Sequence, residues 1–301
     1  HTLKAKFESG KVCYFEQIEK IDQSINMGQG EPMNMKMENL YCLKQNAEPP
    51  KGDKTSISFT YDRFGMSVDS SMMPPMKYDS EGKNQEDEAE MLESIFKPML
   101  GETIKVEVGA AGRASSASGM KAIVEKVEKD VAGNMFWMQM KDGLTDDSFK
   151  MQMIDRQTGL LPDKAVKVGD HWTSSIREEN SPIGTMVIDY KCTLKSVEKE
   201  GGRKIATIDY DMKISVAEGS TPTSGPGGMK IKVESGGGKG AARFDVDAGV
   251  FVTVDSDNTM DMSMEAPNMK MTMKQKMNTK SRWLSEKERD EQRKANKEKA
   301  K

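Results

Sequence analysis

The sequence MVIDYKCTLK at positions 186–195 and the sequence IATIDYDMKISV at positions 205–216 decide the fold class. In each stretch apolar and polar residues alternate with a period of two, which is typical of a β-strand that buries one face. Glu200, Gly201 and Gly202 lie between the two stretches, and glycines of this kind favour a tight turn. We therefore predict a long antiparallel hairpin with one face exposed to water.

A second hairpin, at positions 260–273, reads MDMSMEAPNMKMTM and carries methionine at every second position. Residues directly opposite each other in an antiparallel pair point to the same side of the sheet. Pairing Met264 with Met269 sets the other methionines opposite one another and leaves a loop at 265–268. The predicted methionine-lined face consists of Met260, Met262, Met264, Met269, Met271 and Met273.

Outside these two hairpins, weaker alternation of apolar and polar residues predicts further strands. We expect strands at 12–25, 33–43, 57–61, 66–68, 104–108 and 250–264, and short strands at 229–233 and 242–246 on either side of a break at Gly236-Gly237-Gly238. Acidic residues followed by an apolar stripe predict a helix at 86–99, whereas residues 118–130 fit a helix or a strand. Met138 and Met140 are predicted on a strand at 136–140, paired with 149–153 through a turn near Asp142 and Gly143.

These patterns predict a mainly β protein with minor α: one large, curved antiparallel sheet, half-barrel or clam-like, with one or two short helices. We divide the chain into an N-terminal half at 1–157 with a helical insert at about 84–99, a C-terminal half at 158–284 and a charged tail at 285–301. Ser285 and Glu288 form a capping box in the tail. Because the tail has no apolar stripe, we expect it to be disordered or to form an exposed helix that does not pack on the body.

Composition excludes several classes of partner. The 45 basic and 48 acidic residues nearly cancel, to a net charge of −3, and such a chain has no electrostatic footprint for nucleic acid. No apolar run approaches the ~20 residues that a transmembrane helix needs. The chain begins at His1, so we expect that a signal peptide, or a trimmed tag, preceded it. We therefore predict an extracytoplasmic protein: periplasmic, at the cell surface or secreted.

Motifs for catalysis and cofactors are missing from the sequence. Cys13, Cys42 and Cys192 match no zinc or redox spacing; Cys13 and Cys42 form a disulfide, or all three are buried free thiols. No serine lies in a Gly-x-Ser-x-Gly elbow. The glycine run at 236–240 lacks the Lys-Ser/Thr ending of a phosphate-binding loop. We predict that the protein is not an enzyme and holds no cofactor.

Copper binding is the sharpest alternative. The sequence has only two histidines, His1 and His171, and the amine and imidazole of His1 could hold copper together with His171. Methionine thioethers favour Cu(I), and the chain contains 26 methionines. The methionines, however, alternate as the residues of a sheet face do, which favours a pliable core or binding surface over a metal site.

The stretch LLPDKAVKVGDHW at 160–172 carries a turn in which Gly169 and Asp170 precede Trp172. Glycine permits the backbone angles of a tight turn, Asp caps its own turn, and Trp anchors the strand start; we interpret the motif as a folding element. It resembles the Leu-Pro and Val-Gly-Asp-x-Trp segment of a family of uncharacterised exported bacterial proteins. The resemblance extends to residues 10–14, 78–80 and 100–101 and to the methionine hairpin. It implies a β-rich architecture and export, and no chemistry.

Three functions remain. A methionine-lined sheet face adapts to varied apolar partners, which favours a carrier for a lipid or another hydrophobic ligand on Met260, Met262, Met264, Met269, Met271, Met273, Met138 and Met140. Alternatively, the methionines fill the core of a structural or surface-assembly protein, which forms a homo-oligomer or larger assembly. Copper binding is the second alternative.

Overall fold

The structure is a computed structural model and describes residues 1–28, 30–71, 73–84, 86–131, 133–179, 184–220, 230–266 and 269–299. These residues form twelve strands: β1 (Val12–Asn26), β2 (Met33–Ala47), β3 (Lys54–Ser70), β4 (Met73–Asp79), β5 (Thr103–Gly109), β6 (Ala114–Ser118), β7 (His171–Glu178), β8 (Met186–Glu200), β9 (Arg203–Val216), β10 (Lys230–Asp245), β11 (Val250–Ala266) and β12 (Met269–Ser285). The helices are α1 (Glu86–Phe96), α2 (Met120–Val131), α3 (Met135–Lys141), α4 (Asp146–Lys150), α5 (Arg156–Thr158) and α6 (Glu286–Lys299), with a 3₁₀ turn at Lys97–Met99 and a π-helical turn at Met151–Asp155.

All twelve strands belong to one antiparallel sheet that does not close. Its strand order is β6-β5-β3-β2-β1-β12-β11-β10-β9-β8-β7, and β4 pairs with β3 beside this path. The predicted fold class, a large antiparallel sheet with few short helices, is confirmed. The curved, half-barrel form stays a prediction, as does the division of the chain at 157 and 284.

Residues of the chain cluster into two compact units, each assembled from separate segments. Unit 1 comprises residues 1–6, 21–36 and 151–280, and unit 2 comprises residues 7–20, 37–150 and 281–301. Unit 1 therefore contains β7 to β11 whole, whereas unit 2 contains β3 to β6 and the helices α1 to α4 and α6. Each unit is described by itself below.

The predicted hairpin of β8 and β9 is confirmed. Cα partners run from Met186 opposite Val216 to Glu200 opposite Arg203. Gly201 and Gly202 form the two-residue loop with φ of 54° and 84°, which is the geometry of a type I′ turn that favours glycine at both positions. The apolar face of the pair is buried; it consists of Ile188, Tyr190, Cys192, Leu194, Ile208, Tyr210 and Ile214.

The predicted break at Gly236-Gly237-Gly238 is wrong, because β10 continues through all three glycines. β9 and β11 hydrogen-bond to β10 on both sides, so the ladder holds the chain extended. A Cβ at Gly238 would lie 2.1 Å from the carbonyl oxygen of Asp257, and a Cβ at Gly240 would lie 2.5 Å from the Tyr210 ring. The glycines therefore mark close approach of neighbouring strands. Similarly, β3 continues through Gly65, where two separate strands were expected.

The predicted strand pair at 136–140 and 149–153 is also wrong, because both segments are helical. Asn134 caps α3, accepting a hydrogen bond of 3.1 Å from the backbone N–H of Trp137. Methionine is a good helix former, and no β-branched residue in α3 opposes the helix. Phe149, on α4, is buried and meets the Phe59 ring edge-on at 5.6 Å.

Two other segments are settled by packing. The predicted helix at 86–99 is confirmed as α1 and its 3₁₀ turn, and the ambiguous segment 118–130 contains the end of β6 and the helix α2. The buried residues of α2 recur at helical spacing, which indicates a helix packed by one face. They are Met120, Ile123, Val127 and Val131.

The tail does not behave as expected. It forms α6, and the predicted capping box is present: the backbone N–H of Ser285 donates to Glu288 at 2.7 Å, and that of Glu288 donates to Ser285 Oγ at 3.3 Å. The expectation that the tail would not pack on the body is wrong, because Arg289 on α6 is fully buried. Its partners are charged rather than apolar.

None of the described helices is both long enough and apolar enough to cross a bilayer.

Candidate functional site

A methionine face lies on β11 and β12 of unit 1. We define it as Met260, Met262, Met264, Met271 and Met273; the side chain of Met269 lies outside the described residues. Along β12, half-buried Met271 and Met273 alternate with exposed Thr272 and Lys274. On β11, Met262 is 8% exposed, and Met260 and Met264 are half-buried.

Two observations show that the methionines of both strands share a face. Asn278 Nδ2 donates to Asp257 Oδ1 at 2.8 Å, so these two side chains lie on one face of β11 and β12. Met260 lies an odd number of residues from Asp257 on β11, and Met273 lies an odd number of residues from Asn278 on β12. Because side chains alternate along a strand, both methionines lie on the other face. The exact pairing of Met264 with Met269 stays a prediction; β11 ends at Ala266 and β12 begins at Met269, which leaves only two residues between the strands.

Neighbouring strands extend the methionine face. On β10, Val233 lies opposite Met262 and Ile231 lies opposite Met264. From β1, the Gln23 amide donates to the thioether sulfur of Met273 at 2.7 Å. The face is thus apolar and polarisable, and it has a polar group at one side, a combination that suits an amphipathic ligand.

Met138 and Met140 do not belong to this face. Both lie on α3 in unit 2, and Met138 is 48% exposed. Their prediction as part of the methionine-lined sheet is wrong because the segment is helical, for the reasons given above.

The Gly-Asp-x-Trp motif lies where the chain enters β7. Gly169 has a φ of +92°, and the Asp170 carboxylate accepts a hydrogen bond of 2.8 Å from the backbone of Lys167. Trp172 Nε1 donates to the carbonyl of Leu160 at 3.2 Å, and the backbone of Leu194 on β8 bonds to Gly169 and Asp170 on either side of the turn. Each contact positions the start of β7 against its neighbours.

The two histidines lie in separate settings. His171 Nδ1 is 2.8 Å from Thr193 Oγ1 on the exposed face of β7 and β8. His1 exchanges backbone hydrogen bonds with Val166. Among the described residues, no group of three or more His, Cys, Asp or Glu could hold a metal ion. A copper site built on thioethers stays a prediction.

All three cysteines are free thiols. Cys42 and Cys192 are buried and Cys13 is partly buried. Burial raises the pKa of Cys13 to about 11 and the pKa of Cys42 and of Cys192 to about 12. The thiols are therefore protonated at neutral pH, which makes them poor nucleophiles.

A network of charged side chains in unit 2 holds α6. Arg289 Nε donates to Asp62 at 2.7 Å, and both terminal nitrogens of Arg289 donate to Glu81. Burial by itself would raise the pKa of Glu81, but hydrogen bonds from Arg289 and Asn296 outweigh it and hold the pKa below its ordinary value. Arg293 also donates to Asp62. We call Asp62, Glu81, Arg289, Arg293 and Asn296 the Arg289 network.

Further polar contacts surround the Arg289 network. Gln292 on α6 donates to Glu16 on β1, and Arg282 on β12 donates to the same carboxylate at 2.7 Å. Arg63 forms a two-point ion pair with Asp79, at 3.0 and 2.6 Å. Sequence reasoning missed this cluster. Its only signal is polar: Arg289, Gln292, Arg293 and Asn296 recur at the spacing of one helix face.

A polar groove of ≈ 700 Å³ lies on the other face of the strands that carry the methionines. Its charged lining residues are Lys191, Asp209, Asp211, Lys239, Asp255, Asp257 and Lys280. The strand register sets Asp211 between Lys191 and Lys239, and Lys239 between Asp211 and Asp257. Positive and negative charges therefore alternate across the strands and nearly cancel.

Solved structures similar to this chain are distant. One, reported as lipid–protein interactions in lipovitellin, shares 8% identity at a TM-score of 0.46; the match covers 93% of this chain and 26% of that chain. A protein with a YmcC-like fold from Bacteroides fragilis shares 9% identity at a TM-score of 0.24; the match covers 91% of this chain and 97% of that chain. OpdQ of Pseudomonas aeruginosa shares 7% at 0.26, with 91% and 99% covered. These values are too low to carry an argument about function.

Comparison with curated proteins gave no match. The sequence profile of DUF6263, described as a family of unknown function, matches residues 52–251. This range contains the strands β3 to β10 whole, and it includes the Gly-Asp-x-Trp turn. The expected resemblance to an uncharacterised family is confirmed, and the chain belongs to DUF6263.

Proposed function

We propose that this chain is an exported, non-catalytic protein that binds a lipid or another hydrophobic ligand on its methionine face. The observation that carries the proposal is the alternation on β12, where Met271 and Met273 are half-buried between exposed Thr272 and Lys274. A core residue is normally buried completely. Thioethers that stay partly accessible on a continuous face leave apolar area for a ligand to cover.

Burial of apolar surface would supply the binding free energy on the methionine face. Each Å² of apolar surface removed from water contributes roughly 25 cal/mol. Methionine has flexible torsions and a polarisable sulfur, so the face adapts to acyl chains of different length. The Gln23 amide, which contacts Met273, gives the face one polar group that could orient a head group.

The non-catalytic part of the proposal rests on the nucleophiles. The raised pKa of Cys42 and of Cys192, about 12 in each case, keeps these thiols protonated. His171 shares its hydrogen bond with Thr193 on an exposed strand pair rather than within an enclosed pocket. Export is tested separately, by fractionating the native host and locating the protein with an antibody.

Fluorescence titration with a dansyl-labelled fatty acid tests the ligand site. The unmodified chain should bind the probe, and M271Q/M273Q should weaken binding by about tenfold or more, since each loses on the order of 1 kcal/mol of apolar contact. T272Q, on the exposed face of the same strand, is the matched control and should bind as the unmodified chain does. Circular dichroism checks that all three chains are folded.

Native mass spectrometry of protein purified from its own host provides a second readout. A retained lipid supports the proposal. If the unmodified chain binds neither the probe nor any lipid, or if M271Q/M273Q binds as tightly as T272Q, the proposal is wrong. Self-association by analytical ultracentrifugation, without lipid, would then favour the structural-assembly alternative.

A further inference from the structure

The helix α6 docks on unit 2 through polar side chains. Its sequence, EKERDEQRKANKEK, contains one apolar residue, Ala295, and that residue is exposed. The side chains of α6 that are buried or half-buried are Arg289, Gln292, Arg293 and Asn296. Docking therefore relies mainly on ion pairs and hydrogen bonds, because α6 has no apolar face of the kind that usually attaches a helix to a sheet.

Polar docking of this kind is weak relative to its number of contacts. The net contribution of an intramolecular hydrogen bond is much smaller than its intrinsic strength, because water replaces it when it opens. A buried ion pair also carries a desolvation cost that offsets most of its Coulomb attraction. The carboxylates of Asp62 and Glu81 are each partly reachable by solvent, with 13% and 17% exposed side chains, so they hydrate readily once Arg289 leaves.

An apolar strip lies beneath the docked helix. Tyr14, Cys42 and Leu284 form a buried cluster against which Val12 packs. The guanidinium of Arg293 lies 5.5 Å from the centre of the Tyr14 ring, and the positive charge of Arg289 acts on the Cys42 thiol. Charged side chains of α6 thus lie against Tyr14 and Cys42 of this strip.

We propose that α6 is a releasable strap: it leaves unit 2 as one element while the sheet stays folded, and its release uncovers the strip of Val12, Tyr14, Cys42 and Leu284. Opening the strap exposes polar groups that water accepts and only a small apolar area. Global unfolding exposes the whole core. The free energy of strap opening is therefore far smaller than the free energy of global unfolding. This proposal concerns unit 2 alone and does not depend on ligand binding at the methionine face.

The cysteines of the chain report on the strap directly. Cys42 is fully buried beside the strap, whereas Cys192 is buried in the β8 strand of unit 1. Burial raises the pKa of both thiols to about 12, so both are equally inert while they remain closed. N-ethylmaleimide labelling of the full chain under native conditions, with peptide mapping by mass spectrometry, gives the labelling rate at each site.

We expect Cys42 to label at least tenfold faster than Cys192. R289Q should increase the Cys42 rate at least tenfold further and leave the Cys192 rate unchanged. K287Q, on the outer side of α6 where the Lys287 side chain is 86% exposed, is the matched control and should change neither rate. If R289Q does not fold, N296A, which removes one hydrogen bond of 2.9 Å to Glu81, gives the same test with a smaller increase.

Two results would overturn the strap. Equal labelling rates at Cys42 and Cys192 would show that both thiols open only by global unfolding. An unchanged Cys42 rate in folded R289Q or N296A would show that the Arg289 network does not hold the helix closed.

Discussion

Replacing Gly240 with alanine should destabilise unit 1 more than a glycine-to-alanine substitution at a strand position with open space around it. A Cβ at Gly240 would lie 2.2 Å from the carbonyl oxygen of Asp255 and 2.5 Å from the Tyr210 ring. Neither neighbour can move away easily, because Gly240 is paired with Tyr210 on one side and Ser256 on the other. Tyr210 is itself buried, with its hydroxyl donating to Asp255 O at 3.1 Å.

The magnitude follows from these contacts. Overpacking a filled site costs typically ~1–3 kcal/mol, and losing the Tyr210 hydrogen bond adds about 1 kcal/mol. We therefore expect G240A to lower the free energy of unfolding by roughly 2–4 kcal/mol. Urea denaturation followed by circular dichroism measures the change.

G109A is the matched control. Gly109 also lies in a strand, but a Cβ there would approach only the carbonyl oxygen of Arg113, at 4.0 Å. The expected change is within ~0.5 kcal/mol or slightly stabilising, because alanine restricts the unfolded chain. If G240A is as stable as G109A, the close approach of β9, β10 and β11 at Gly240 is not what requires glycine there.

Two further predictions concern unit 2 and the β8–β9 turn. The pKa of Asp79 and of Glu81 is held below its ordinary value because the hydrogen bonds and charges of Arg63 and Arg289 outweigh the opposing effect of burial. A lowered folded-state pKa contributes stability above the ordinary carboxyl range, so the thermal midpoint should stay constant near neutral pH and fall as acid protonates these groups. A midpoint that is flat down to the lowest pH tested would contradict the Arg289 network. At the turn, G202V should lower the free energy of unfolding by about 1 kcal/mol or more, because the φ of 84° at Gly202 disfavours a β-branched side chain. G202N should lower it less, because asparagine tolerates this region. Equal urea midpoints for the two variants would refute the turn assignment.

Local hydrophobic patterns predicted a strand and its buried face correctly where the contacts of the folded sheet agree with them. The β8–β9 hairpin is an example: alternation assigned the two faces, and the pair of glycines assigned the loop. On β12, alternation also identified which residues turn away from solvent, since Met271 and Met273 are half-buried between exposed neighbours. Faces of this kind are readable because side chains alternate strictly along an extended chain.

Short apolar segments that fit both a strand and a helix were predicted wrongly. In the α3 sequence, MFWMQMK, the apolar residues Phe136, Met138 and Met140 lie two residues apart, which suits a strand. Phe136 and Met140 also lie four residues apart, which suits one face of a helix. Intrinsic preference decides little over seven residues. The cap at Asn134 and the burial of Trp137 made the helix the better solution.

Periodicity in the sequence was enough to assign the fold class and the buried side of β8, β9 and β12, because alternation is a property of the chain that needs no partner. Only the tertiary structure decided what the tail does. Arg289 bonds to Glu81, 208 residues away, and to Asp62, 227 residues away. A buried charge is stable only where opposite charges meet it, and that meeting depends on how the whole sheet is assembled.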